Sequence, residues 1–156
     1  EQEEEFIYFV SCIEDLNNAW MLLKHLKRRK NNSLAYTAFR FALIEYSKPY
    51  TTSYGKVKRK RSGLGTGYVP DEHLALHKRI LEARNTFLAH SDISIKDAKL
   101  YVSKHPWGTE TGISQNVINA SHEYLRIDEI LDLIEKTLIK MYENEELLKA
   151  NLTQNS

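Results

Sequence analysis

Residues 71–90 read DEHLALHKRILEARNTFLAH, and this stretch decides the fold. Stepping ~100° per residue from Arg84, the side chains of His77, Ile80, Leu81, Phe87 and Leu88 all fall within about 60° of it. The pattern is that of an amphipathic helix with one apolar stripe. Asp71, after Pro70, is a capping residue suited to its start, and the helix is expected to run to about His90.

Upstream, Phe6, Val10, Ile13, Leu16, Trp20 and Leu23 recur at steps of three and four, predicting a long helix over roughly residues 4–30. Its end, Lys24-His25-Leu26-Lys27-Arg28-Arg29-Lys30, suits the negative pole of the helix dipole; a nucleic-acid contact is the other reading. Asn31-Asn32-Ser33 offers caps for a second helix. That helix, from Leu34 to Tyr46, is apolar nearly all round, which predicts a central place in a bundle. Lys48-Pro49 stops it. Residues 49–70 then form a long loop with five cations among Lys56, Lys58, Arg59, Lys60 and Arg61. Two readings stand for it, a phosphate-tracking segment beside tyrosines or a solvated flexible loop. Its glycines lack the Gly-Lys-Ser/Thr ending of a phosphate-binding loop.

Downstream, residues 98–103 and 112–119 read as extended, with Pro106-Trp107-Gly108 between them, so a β-hairpin insertion within 98–120 is expected. A last helix begins near Ile127, carries Ile130, Leu131, Ile134, Leu138, Met141 and Tyr142, and is expected to end near Leu148. The expectation is a mainly α, single domain over 1–156: four long helices in an up-down bundle, with a hairpin after the third.

Composition fits a globular domain, with 42% hydrophobic and 28% charged residues among 156. A formal charge of +1 supplies no global field, so any nucleic-acid or membrane binding must be local. Cys12 is the single cysteine, which excludes an internal disulfide and fits a reducing cytoplasm. The acidic start Glu1-Gln2-Glu3-Glu4-Glu5 does not read as a signal peptide. No apolar run approaches the ~18–20 residues of a spanning helix, so no membrane partner is expected.

Arg84 is the odd residue of the third helix. A guanidinium on an apolar stripe is costly unless it is paired, snorkels out or lines a partly buried site. A carboxylate from a neighbouring helix, with Glu45 the candidate, is one resolution. His90, six residues on, lies about 120° round the helix from Arg84. The two converge only if the helix ends at His90 or if a second copy of the chain contributes.

Arg84-Asn85-Thr86-Phe87-Leu88-Ala89-His90 resembles the Arg-x(4–6)-His motif of the HEPN superfamily, in the form with a polar residue after the arginine. The Ala89-His90-Ser91-Asp92 ending resembles HEPN proteins of the abortive-infection type. The resemblance implies a HEPN-like bundle with the motif near the end of its third long helix. It implies a metal-independent, cofactor-free RNA endonuclease that leaves a 2′,3′-cyclic phosphate, acting in phage defence or stress response. A toxin role would bring an antitoxin or inhibitor partner. His90 would act as acid–base group, Arg84 would stabilise the phosphorane and Asn85 would orient the phosphate or the histidine. The family's sites form where two subunits meet, which implies a homodimer with two Arg84/His90 sets around one cleft. The toxin members paired with a nucleotidyltransferase carry a tyrosine two residues after the histidine; here that position is Asp92, better read as a helix cap. The alternative is a non-catalytic HEPN-like module that dimerises or binds nucleotide or RNA through the same cleft.

Around this motif, Lys58, Arg59, Lys60 and Arg61 are candidate RNA contacts. Glu45, Tyr46 and Asp92 are candidates to support the site, and Lys48 accompanies them. His73 and His77 are one helical turn apart, but no His-Glu-x-x-His order is present and no metal is expected. Cys12 has no local signature of a nucleophile. Trp20 and Trp107 read as core or hairpin packing.

Overall fold

Helix α1 (Gln2–Arg28) is the element on which the others are arranged. The computed structural model of the chain describes residues 2–28, 34–54, 60–88, 99–114 and 121–154. Helix α1 buries Phe9, Cys12, Ile13, Leu16, Ala19, Leu23 and Leu26. Three members of the expected stripe, Phe6, Val10 and Trp20, are only half-buried. The helix is turned so that small Cys12 and Ala19 face inward, where two neighbours crowd it. Trp20 takes the edge, and its Nε1 donates to Glu135 Oε1 at 2.8 Å, the usual compromise for a ring with one polar atom.

Helix α2 (Ala35–Ser47) runs antiparallel to α1, for Asp15 pairs with Lys48 at 3.4 Å while Met21, Leu22 and His25 share a groove with Phe41. It does lie centrally, between α1 and α3 (Leu74–Leu88), but its apolar character is not fully used: Tyr36 and Phe41 face solvent. Leu34 stands at its N-cap without a side-chain cap bond; the expected caps, residues 31–33, lie outside the described residues. The helix ends at Ser47, and Pro49 sits in the following 3-10 turn, Lys48–Tyr50. Asp71 does not cap α3: it opens a 3-10 turn, Asp71–His73, which leads into the helix and has Pro70 at its N-cap.

After a short helix α4 (Ser121–Tyr124), helix α5 (Ile127–Gln154) runs antiparallel to α1 and extends past the expected end at Leu148. Lys27–Asp128 at 2.6 Å, Lys24–Glu135 at 3.0 Å and Asn17–Tyr142 at 2.7 Å set the register. Such exposed pairs are worth at most about 1 kcal/mol each, so the bundle rests on its core. Leu16, Phe39, Leu43, Ile80, Ile130, Leu133, Ile134 and Met141 are all fully buried there. Buried Ser47 and Thr137 satisfy their hydroxyls on the carbonyls of Leu43 and Leu133.

The hairpin is present, with β1 (Lys99–His105) antiparallel to β2 (Gly108–Ser114). Its second strand begins earlier than expected, because Pro106-Trp107 alone makes the turn and His105 pairs with Gly108. Gly108 has φ +153, a backbone conformation that L side chains rarely adopt. Its sequence, Gly-Thr-Glu-Thr-Gly, hid the strand behind glycines and polar residues. The expected continuation over 115–119 lies outside the described residues.

The loop after α2 has more structure than its composition suggests. Ser53 and Arg61 exchange both backbone hydrogen bonds, at 3.0 and 2.8 Å, and Leu64 N–H donates to Pro49 O at 2.7 Å. Gly63 passes so near the Tyr50–Thr51 peptide that a Cβ there would lie 2.4 Å from Tyr50 C. Among the described residues, no helix is long and apolar enough to cross a membrane.

Candidate functional site

The inner stripe of α3 is Leu76, His77, Ile80 and then Arg84. Arg84 thus continues the apolar face, as its position in the heptad-like pattern demands. Its Nη1 donates to Asn85 Oδ1 at 3.0 Å. Its Nε is buried and has no hydrogen-bond partner among the described residues. No carboxylate pairs with Arg84 among the described residues, and Glu45, the expected partner, is engaged elsewhere. Buried to 3% exposure, Glu45 pairs with Lys48 at 2.6 Å, and Lys48 reaches Asp15. Burial works against the Lys48 ammonium, but Glu45 and Asp15 overcome it and raise its pKa. Burial likewise lifts the Asp15 carboxyl, with Lys48 opposing. The ion pair is therefore an α1–α2 tie that leaves Arg84 uncompensated.

His90 and Asp92 lie outside the described residues, as do Lys58 and Arg59. Lys60 is exposed. Arg61 is turned inward, with its side chain 10% exposed, pairing with Glu4 at 3.5 Å and lying 4.7 Å over the Tyr8 ring. It anchors the loop base on α1, beside a cleft of about 470 Å³ walled by Phe6, Phe9, Tyr68 and Leu148.

Tyr46 serves the stripe, two helical turns before Arg84. Its hydroxyl and His77 Nδ1 are hydrogen-bonded at 2.8 Å, and the Tyr50 ring meets the His77 ring edge-on at 4.5 Å. Burial drives the Tyr46 phenol well above its ordinary range and does the same to Tyr50. Burial pushes the His77 imidazole the other way, favouring its neutral form. This Tyr–His cluster was missed in the sequence, although a histidine and a tyrosine on the apolar faces of successive helices are a usable signal. Two such groups, both buried, must find partners.

His73 and His77 do not act together. His73 Nε2 bonds Asp132 at 2.7 Å, in a network with Lys136 and Glu72 that ties the start of α3 to α5. Among the described residues, no group of three or more His, Cys, Asp or Glu side chains is arranged to hold a metal. Burial pushes the Cys12 thiol up to about 11, so it stays protonated at neutral pH and is a poor nucleophile. Trp107 is not core: it is 80% exposed at the hairpin turn, stacked on His105.

What the described site offers is one permanently charged, half-buried fork with a free inward donor and an amide beside it. That is chemistry for an anion with several acceptor oxygens. No protein-family model, no curated protein and no solved structure matches the chain.

Proposed function

We propose that this protein is a metal-independent RNA endonuclease of the HEPN type, with Arg84, Asn85 and His90 as its working residues. The observation that carries the reading is the buried Nε of Arg84, without a partner among the described residues, on a helix face that is apolar but for His77. An unsatisfied charged donor costs stability, and a phosphate is the acceptor that would repay it. The Arg84–His90 spacing and the helical architecture support the same reading, with the bundle taken as HEPN-like.

In the proposed reaction the RNA 2′-oxygen attacks the adjacent phosphorus. The O2′–P bond forms, the P–O5′ bond breaks and a 2′,3′-cyclic phosphate remains. One His90 takes the 2′-hydroxyl proton and a second protonates the departing 5′-oxygen. Arg84 holds the equatorial oxygens as their charge grows, and Asn85 keeps the guanidinium plane oriented. Because positions 84 and 90 of an ideal straight helix would face about 120° apart, we assign the two sets to a homodimer. The setting is cytoplasmic, in defence or stress response, with activity held by an inhibitor protein.

The test is His90→Ala, assayed on RNA in the presence of EDTA. Wild-type protein should cleave and leave cyclic phosphate ends, while the variant keeps its helical signal and loses roughly 10²–10⁴-fold in rate. Undiminished cleavage by the variant sinks the reading.

A further inference from the structure

The hairpin presents two unlike faces. Leu100, Val102 and Ile113 share one, since Leu100 pairs with Ile113 and side chains alternate along β1. Tyr101, Ser103 and His105 share the other, opposite Gly112, Glu110 and Gly108. The aliphatic groups are thus all on the first face, and the second is aromatic and polar. Trp107 lies flat on His105, with ring centroids 4.9 Å apart and planes within 3° of parallel, and it remains 80% exposed. Tyr101 is 57% exposed. Glycines stand opposite Tyr101 and His105, with Glu110 between them, and nothing lies within 4 Å of where the glycine Cβ atoms would be.

We infer that this face of the hairpin binds single-stranded RNA by stacking unpaired bases on Trp107 and Tyr101. The inference rests on the nuclease reading for its choice of polymer, and among the described residues the hairpin is the next element after the motif helix. Tyr101 and His105 are four residues apart on β1, so the two stacking stations stand about 13 Å apart. Ser103, between them, supplies a hydroxyl to a base edge. One face of the Trp107 ring is covered by His105, which fixes the ring and leaves the other face for a base. Fixing it beforehand lowers the ordering cost of binding. Glu110 lies 3.6 Å from His105 Nε2 on the same face, so phosphates are turned outward and bases inward. Stacking of this kind tolerates any base and demands that it be unpaired.

The experiment uses the His90→Ala protein, so that RNA survives, and a fluorescein-labelled oligoribonucleotide of mixed sequence, single-stranded or annealed to its complement. By anisotropy, Trp107→Ala and Tyr101→Ala should each weaken single-strand binding about tenfold, and Trp107→Phe should retain most of it. The duplex should bind weakly and respond to none of these changes. In a Trp20→Phe background, the single strand should also quench Trp107 emission. Unchanged single-strand affinity in both alanine variants overturns the inference. So does a sedimentation shift showing that Trp107→Ala dissociates a dimer while RNA binding is kept, which would assign the face to a second copy. If wild-type protein binds RNA through Trp107 without cleaving it, the nuclease reading falls and the stacking face stands. If wild-type protein cleaves and the hairpin variants bind unimpaired, only the stacking face falls.

Discussion

Arg84 is held at a cost. Its buried Nε has no acceptor among the described residues, and an unmade bond to a buried charged donor costs about 1–3 kcal/mol. Arg84→Leu, which extends the Leu76–Ile80 stripe, should therefore raise the melting temperature by about 2–12 °C while abolishing RNA cleavage. A thermal melt beside a cleavage assay reads both, and a variant less stable than wild type would show that the arginine is structural. His77 is the second residue with a measurable signature. Burial favours its neutral form, so its folded pKa lies below the unfolded value of about 6.5. Above that value neither state binds the proton and His77 costs nothing. As pH falls through about 6.5 the unfolded chain takes up a proton that the folded protein resists, and stability is lost. Tyr46→Phe removes the hydroxyl that meets Nδ1. Urea titrations between pH 7.5 and 5 should show wild-type stability falling with acid and His77→Leu largely flat, and equal slopes would refute the assignment. Arg84 on its stripe was legible because helical angle alone places it. Its lack of a carboxylate partner among the described residues was not, since that depended on Glu45 turning to Lys48 at the end of α2, where Asp15 of α1 also meets it.

Among the elements, the long helices could be read because periodicity is local. Their ends could not, being decided by turns. Asp71 looked like a cap and became part of a 3-10 turn. The rotation of α1 was also hidden, because two neighbours together favour Cys12 and Ala19 over Phe6 and Trp20 at the seam. The loop after α2 shows how one residue can hold an element. Gly63 passes against the Tyr50–Thr51 peptide, where an added Cβ would meet backbone atoms at 2.4–2.8 Å. Backbone yields poorly, so Gly63→Ala should cost about 1–3 kcal/mol, the range of an overpacked site. A chemical denaturation curve checks it, and a loss below about 0.5 kcal/mol would mean that the loop is not clamped. The hairpin was legible in kind from its β-branched and aromatic residues, but its register waited on a turn of only two residues.

For the molecule as a whole, α1 gathers its contacts from both ends of the chain. Trp20 reaches Glu135 and Asn17 reaches Tyr142, across 115 and 125 residues. Removing α5 would bare the side of α1 that it covers and delete Ile130, Leu133, Ile134 and Met141 from the core. A chain ending at residue 126 should therefore show no cooperative thermal transition and should bind a hydrophobic dye. A sharp melt of that fragment would refute the dependence. This closure has a consequence in time. At about 5–20 residues per second, the ribosome needs roughly 5–20 seconds to pass from the end of α1 to the start of α5. Throughout that interval α1 waits for α5. On the proposed function, a domain assembled in this order cannot cleave the RNA it is being read from until α5 has been made.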